Sequence, residues 1–232
     1  NSMMPEKNVT KKLSENFIKT LSSLHKLDFK KINLEFLGKG DGYAKRQVLG
    51  WSERYNKSKT DEIKEMEYLM NWLLNNLPKE VNYSLIHNDF KYDNIVLNKD
   101  DYSDILGILD WEMSTIGDPL FDLGTTLGYW VQNNDHPLLK EISLSPTTSS
   151  GNLSRMELID NYEKYSEMKV NHPVYYYVFG LFKISVIVQQ IYYRYKKGYT
   201  KDDRFSNLLS IVKVCSLVAY QAINRNKIDD LF

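Results

Sequence analysis

Polar and apolar positions along this chain follow two different periods, and the places where the period changes mark its organisation. Leu13, Phe17, Ile18, Leu21 and Leu24 recur at helical spacing, which predicts an amphipathic helix over about 11–27. "FLGKGDGY", Phe36 to Tyr43, interrupts with three glycines, and Tyr43, Val48, Trp51 and Tyr55 resume the helical period. Met66, Leu69, Met70, Leu73, Leu74 and Leu77 form one stripe over 61–77, closed by Pro78. The pattern then becomes short and β-rich in "YSLIH" (83–87), "NIVLN" (94–98) and "DILGILD" (104–110), with turn residues between. After Pro119 helical spacing returns, with helices predicted near 119–132, 154–168, 173–197 and 202–225. Ser154 with Glu157, and Thr200 with Asp203, have the form of capping boxes, and Ser145 to Asn152 reads as a loop. No internal repeat or linker divides the chain. The fold class is α+β, mostly helical, with a small β-hairpin insert near the middle of a single lobe over 8–232. Residues 1–7 read as a tag remnant or disordered start.

Composition narrows this picture. Apolar residues make up 42% of the 232, enough for a sizeable core. Lys+Arg and Asp+Glu are both 30, so no global charge draws the chain to nucleic acid or an anionic membrane. Cys215 is the sole cysteine, which excludes an internal disulfide and suits a reducing, cytoplasmic setting. "NSMMPEKN" lacks the apolar core of a signal peptide. The apolar run from Pro173 to Tyr193 approaches the length of a bilayer span, but Lys183 at its centre and the following Gln189 and Gln190 favour a buried helix of a soluble protein.

The chemistry concentrates in "SLIHNDFKYDNIVL", Ser84 to Leu97. If the strands 94–98 and 105–110 form a hairpin turning near Tyr102, Asn94 falls opposite Asp110 at the open end, with Asp89 just upstream. A carboxylate, an amide oxygen and a second carboxylate are hard ligands suited to Mg²⁺ or Ca²⁺. Each residue also has a plain structural reading: Asp89 as a helix cap, Asp110 as a turn residue, Lys91 as a solvated charge. "GKGDG" (38–42) lacks the phosphate-loop pattern and a leading strand, and reads as a turn.

His87, Asp89 and Asn94 in H-x-D-x-x-x-x-N, Asp110 in "LDWE", and "GDPLFDLG" from Gly117 to Gly124 together resemble the kinase-like small-molecule phosphotransferases of the aminoglycoside phosphotransferase and choline kinase superfamily. "YAKRQVLGWSERY" resembles the kinase-like domains of some acyl-CoA dehydrogenase fusion proteins. The resemblance implies a protein-kinase-like C-terminal lobe using ATP and Mg²⁺ on a hydroxyl of a small molecule. In it Asp89 would orient or accept the hydroxyl proton, His87 would belong to the catalytic loop as a brace, and Asn94 and Asp110 would hold Mg²⁺ on the phosphates. Lys91 could reach phosphate. Asp118 and Asp122 are expected to cap a helix or tie down the loop. Asn88 stands where the family commonly has Gly, a mild departure because Asn tolerates positive φ.

The same resemblance implies an N-terminal β-rich lobe with a phosphate-covering loop and a Lys. No strand, Gly-loop, strand pattern with such a Lys is found here, so the N-terminal β-lobe is expected to be absent and this chain alone to be weakly active or inactive. A missing lobe or a homodimer would cover apolar surface near the cleft. The competing readings are a non-catalytic kinase-like binding module and a metal-dependent hydrolase using Asp89, Asp93 and Asp110.

Overall fold

The computed structural model describes residues 6–79, 83–141 and 145–232. Most of the stretch read as a tag or disordered start lies outside them, and the first helix, α1, runs Lys7–His25. Its predicted stripe is buried, with Phe17, Ile18 and Leu21 fully so. The "GKGDG" segment is a turn, and Gly42, at φ +72°, supplies the left-handed residue that starts α2, Tyr43–Ser58. Helix α3, Lys64–Asn75, ends ahead of Pro78, where the Asn76 amide donates back to the Trp72 carbonyl (2.8 Å).

Four short strands follow: β1 Ser84–Ile86, β2 Ile95–Leu97, β3 Ile105–Ile108 and β4 Thr115–Gly117. They make two antiparallel pairs. In one, Leu85 of β1 faces Ile116 of β4; in the other, Ile95 of β2 faces Ile108 of β3. The β4 strand escapes a sequence reading because Ile116 is its one apolar side chain, with no apolar run around it to mark a strand. The hairpin deviates from the expected register. A bulge between Val96 and Leu97 puts Leu97 opposite Ile105 and moves the turn from Tyr102 toward Asp101. There Asp101 accepts hydrogen bonds from the Ser103 amide (2.9 Å) and hydroxyl (2.6 Å). The Asn94 carbonyl therefore takes the amide of Leu109 (2.8 Å), and Asp110 lies one residue beyond the expected rung.

The remainder is helical: α4 Pro119–Tyr129, α5 Pro137–Glu141, α6 Arg155–Ser166, α7 Pro173–Lys196 and α8 Leu208–Arg225. The Ser154–Glu157 capping box forms at the start of α6. The one expected at Thr200 does not. Asp202 instead caps a 3₁₀ turn, Asp203–Phe205, and forks onto Arg204, so α8 starts only at Leu208. A carboxylate cap with an adjacent guanidinium outcompetes a threonine hydroxyl.

Helix α7 is the hub, packed between α4 and α8. It is long and apolar enough to cross a membrane, yet 78% of its apolar window is buried inside the fold. Its approach to α4 depends on missing side chains: a Cβ on Gly180 would sit 2.1 Å from the Gly124 carbonyl, and one on Gly124 would sit 2.2 Å from that of Tyr176. The last glycine of "GDPLFDLG" is thus a point of helix contact. Among the described residues no strand precedes Ser84, so the architecture is a helical lobe carrying a small β element.

Candidate active site

Strand β1 ends at the buried His87, where the chain turns sharply. Asn88 makes the turn at φ +67°, a conformation that Asn reaches more readily than most residues. Phe90 then fixes the loop to the core. Its ring stacks on Phe17 of α1 with centroids 4.4 Å apart, and its carbonyl accepts the Thr126 hydroxyl of α4 (2.8 Å). Between these two anchors Asp89 remains partly exposed.

His87 commits both ring nitrogens to the backbone. Nδ1 accepts the amide of Asp89 (3.2 Å) and Nε2 donates to the carbonyl of Leu109 (2.8 Å). The donor and acceptor roles fix a neutral tautomer and leave no nitrogen for proton transfer. The ring braces the loop against the strand leading to Asp110, and Trp111 packs edge-on against it at 4.9 Å.

Asp89 is held from two sides. Lys91 pairs with its Oδ2 at 2.7 Å, and the Asn94 side-chain amide donates to the same oxygen (3.0 Å) and to the Asp89 carbonyl (2.9 Å). Both Asp89 atoms can only accept, so the Asn94 NH₂ must face them and its Oδ1 points elsewhere. Lys91, also 4.9 Å over the Tyr129 ring, spends a donor on Asp89 and could reach a phosphate with the others. Burial, then the charge of Asp89, pushes the Tyr129 phenol far up, so it stays a neutral wall.

Asp110 is exposed and adopts φ +65°, a left-handed conformation unusual outside glycine. Its neighbours place it at the same end as Asp89, since the Leu109 carbonyl binds His87 and the Leu109 amide binds Asn94. Asp93 is directed elsewhere: its carboxylate accepts the Ser145 hydroxyl at 2.6 Å. Among the described residues no three His, Cys, Asp or Glu converge as a metal cage, which removes the ligand set of the hydrolase reading. Cavities of 390 and 540 Å³ are lined by neither Asp89 nor Asp110; Asp110 is exposed and Asp89 half-buried.

Beneath the loop, Asp118 caps α4 by accepting the Leu120 amide (2.9 Å). Asp122, one turn further, accepts the amides of His87 (2.7 Å) and Asn88 (2.8 Å) and the Nε2–H of His25 (3.2 Å). Burial works to raise its carboxyl, but the His25 hydrogen bond and charge, the His87 amide and the charge of Lys183 outweigh it and hold Asp122 below the usual range. Sequence reasoning missed His25, which ends α1, and used Lys183 only to argue against a membrane span. A lysine at the centre of an apolar helix was the available signal, because such a charge persists only with a partner.

Comparison with known proteins places this geometry. The profile of the phosphotransferase enzyme family matches residues 3–157. Acyl-CoA dehydrogenase family member 11 of Homo sapiens is 36% identical over 184 residues, 78% of this chain. The chain spans only 23% of that protein's length. The Gallus gallus counterpart is 30% identical over 227 residues, covering 93% of this chain and 29% of its own length. A crystal structure from Ralstonia eutropha, assigned as an aminoglycoside phosphotransferase, superposes with a TM-score of 0.81 at 24% identity over 95% of this chain and 68% of its own, which establishes a shared fold.

Proposed function

The chain belongs to the phosphotransferase enzyme family, and we propose that it is the catalytic lobe of an ATP- and Mg²⁺-dependent kinase acting on a hydroxyl of a small molecule. The observation that carries this reading is the orientation of Asn94. With its NH₂ spent on Asp89, its Oδ1 is the free hard donor, and Asp110 adds an exposed carboxylate with no side-chain hydrogen bond among the described residues. One or two such donors are what Mg²⁺ takes from protein when phosphates and water complete its shell. Asn94 and Asp110 would hold the ion, which supplies charge neutralisation of the phosphates when bound.

Asp89 is the residue that meets the acceptor. Lys91 and Asn94 fix its carboxylate in direction, so it can accept a hydrogen bond from an incoming hydroxyl and take its proton. His87 keeps the loop in register without exchanging protons. Along the chain around Asp110, Leu106 (64% exposed), Leu109 (50%) and Trp111 (39%) offer apolar surface to solvent. A β-rich lobe packed on that surface and completing the nucleotide site is part of the same proposal.

Turnover measurements on the longest natural form of the protein, with calorimetry of Mg²⁺·ATP on this chain, test it. Asp89→Asn should keep the fold and lower kcat by about 10²- to 10⁴-fold. Full activity in that variant removes the mechanism. Tight Mg²⁺-dependent ATP binding by this chain alone removes the covering lobe.

A further inference from the structure

Lys183 lies in the middle of α7, 2% exposed, directly beneath the candidate catalytic loop. Its Nζ donates to the main-chain carbonyl of Asn88. That carbonyl and the amide N–H of Asp89 belong to one rigid peptide plane. The N–H end is held by His87 Nδ1 (3.2 Å), and Lys183 holds the opposite end. A peptide plane fixed at both ends fixes the N–Cα bond of the residue that follows, and the Phe90 anchor one residue on limits the φ rotation that remains. The rest of Asn88 is equally committed: its amide donates to Asp122 (2.8 Å), its side-chain oxygen accepts Tyr43 (3.2 Å), and its side-chain NH₂ donates to the Met113 carbonyl just beyond Asp110 (3.0 Å).

We propose that Lys183 is a positioning residue for Asp89, its buried amine gripping the Asn88 carbonyl and setting the turn from which Asp89 projects. This rests on the phosphotransfer reading of Asp89. Core packing gives no reason for the choice, because a methionine would fill a similar volume without desolvating a charge. The charged groups around the amine are Asp122 on α4, Asp89 and Lys91 on the loop, and Arg54 on α2; the Trp51 ring lies 5.5 Å away. Burial outweighs the two carboxylates and brings the amine down to about 8. The grip therefore weakens within an accessible pH range, since a charged donor makes the stronger hydrogen bond.

Two readouts separate this role from simple core filling. Stability and activity should move in opposite directions above pH 8. Between about 8 and the ordinary lysine value near 10.4 the unfolded chain binds more protons than the folded one, so this group's contribution to stability rises with pH. Over the same range kcat should fall, because the Asp89 turn loosens.

The first experiment is NMR titration of this chain with [¹³Cε]lysine, with Lys183→Met used for assignment. The Lys183 resonance should titrate near 8, and the Asn88 and Asp89 amide shifts should follow with the same midpoint. The second is kcat against pH for the longest natural form. Lys183→Met should lower kcat about three- to thirtyfold at pH 7 with KM for ATP within twofold, a misplacement-sized loss, and should converge with wild type above pH 9. A Lys183 that titrates without moving the two amides overturns the proposal even if the variant fails to fold. So does a folded Lys183→Met with wild-type kcat and pH profile. Asp89→Asn runs in parallel: if it is inactive while Lys183→Met is normal, only this inference falls, and if it is fully active, the phosphotransfer reading falls with it.

Discussion

The side-chain NH₂ of Asn94 bonds both the carboxylate (3.0 Å) and the carbonyl (2.9 Å) of Asp89, so one residue orients the candidate base and presents a free oxygen of its own. Asn94→Ala should therefore damage two functions at once. It is expected to lower kcat by at least tenfold through loss of Asp89 orientation and to shift the Mg²⁺ requirement to higher concentration. Asp110→Asn should shift the Mg²⁺ curve and weaken nucleotide binding together, with less effect on Asp89. Activity assayed across a Mg²⁺ series distinguishes the two patterns.

Asp122 carries the underside of the loop. Asp122→Asn replaces a buried acceptor of two backbone amides with a group whose NH₂ opposes donors, and should cost about 3–5 kcal/mol, the range for breaking a buried charged network. Its carboxyl is depressed in the folded state, so its contribution is present above the unfolded carboxyl value near 3.9 and is lost as pH falls through the folded one. Urea unfolding across the acid range should show wild type losing more stability than the variant.

Gly180→Ala tests the helix crossing. The added Cβ would meet the Gly124 carbonyl at 2.1 Å, a backbone atom that cannot rotate aside. Overpacking of this kind costs about 1–3 kcal/mol. Thermal unfolding should show that loss, and because Gly180 lies one turn from Lys183, the Asn88 amide shift should move as well.

The exposed apolar side chains around Asp110 should make the isolated chain associate. Leu106 in β3, with Leu109 and Trp111 just after it, are each exposed. Leu106→Glu is expected to reduce self-association in light scattering without altering the unfolding midpoint by more than about 0.5 kcal/mol equivalent, as befits a surface site. A strictly monomeric wild-type chain would remove the argument for a covering partner at this face.

Most of the helices could be read from the sequence, because a helix of a dozen or more residues repeats its buried face several times. The stripes of α1 and α3 and the Ser154–Glu157 box gave element and boundary within a few residues. Helix α5, five residues long, was too short to show a stripe, and strand β4 was missed because Ile116 is its one apolar side chain. The Thr200 cap failed because a nearby carboxylate competed for the same role.

For the site, local order placed His87, Asp89, Asn94 and Asp110 in one neighbourhood, since a turn and a hairpin are decided by residues close along the chain. What the tertiary structure alone decided is how that neighbourhood is held. Lys183 meets Asn88 at a separation of 95 positions, His25 meets Asp122 at 97, and Asp122 meets His87 at 35. Such pairings depend on which helices pack together and how closely. Here that distance is set by two glycines, Gly124 and Gly180, whose role leaves no periodic trace in the sequence. A buried polar group must find a partner somewhere, but sequence shows only the need, and packing supplies the identity.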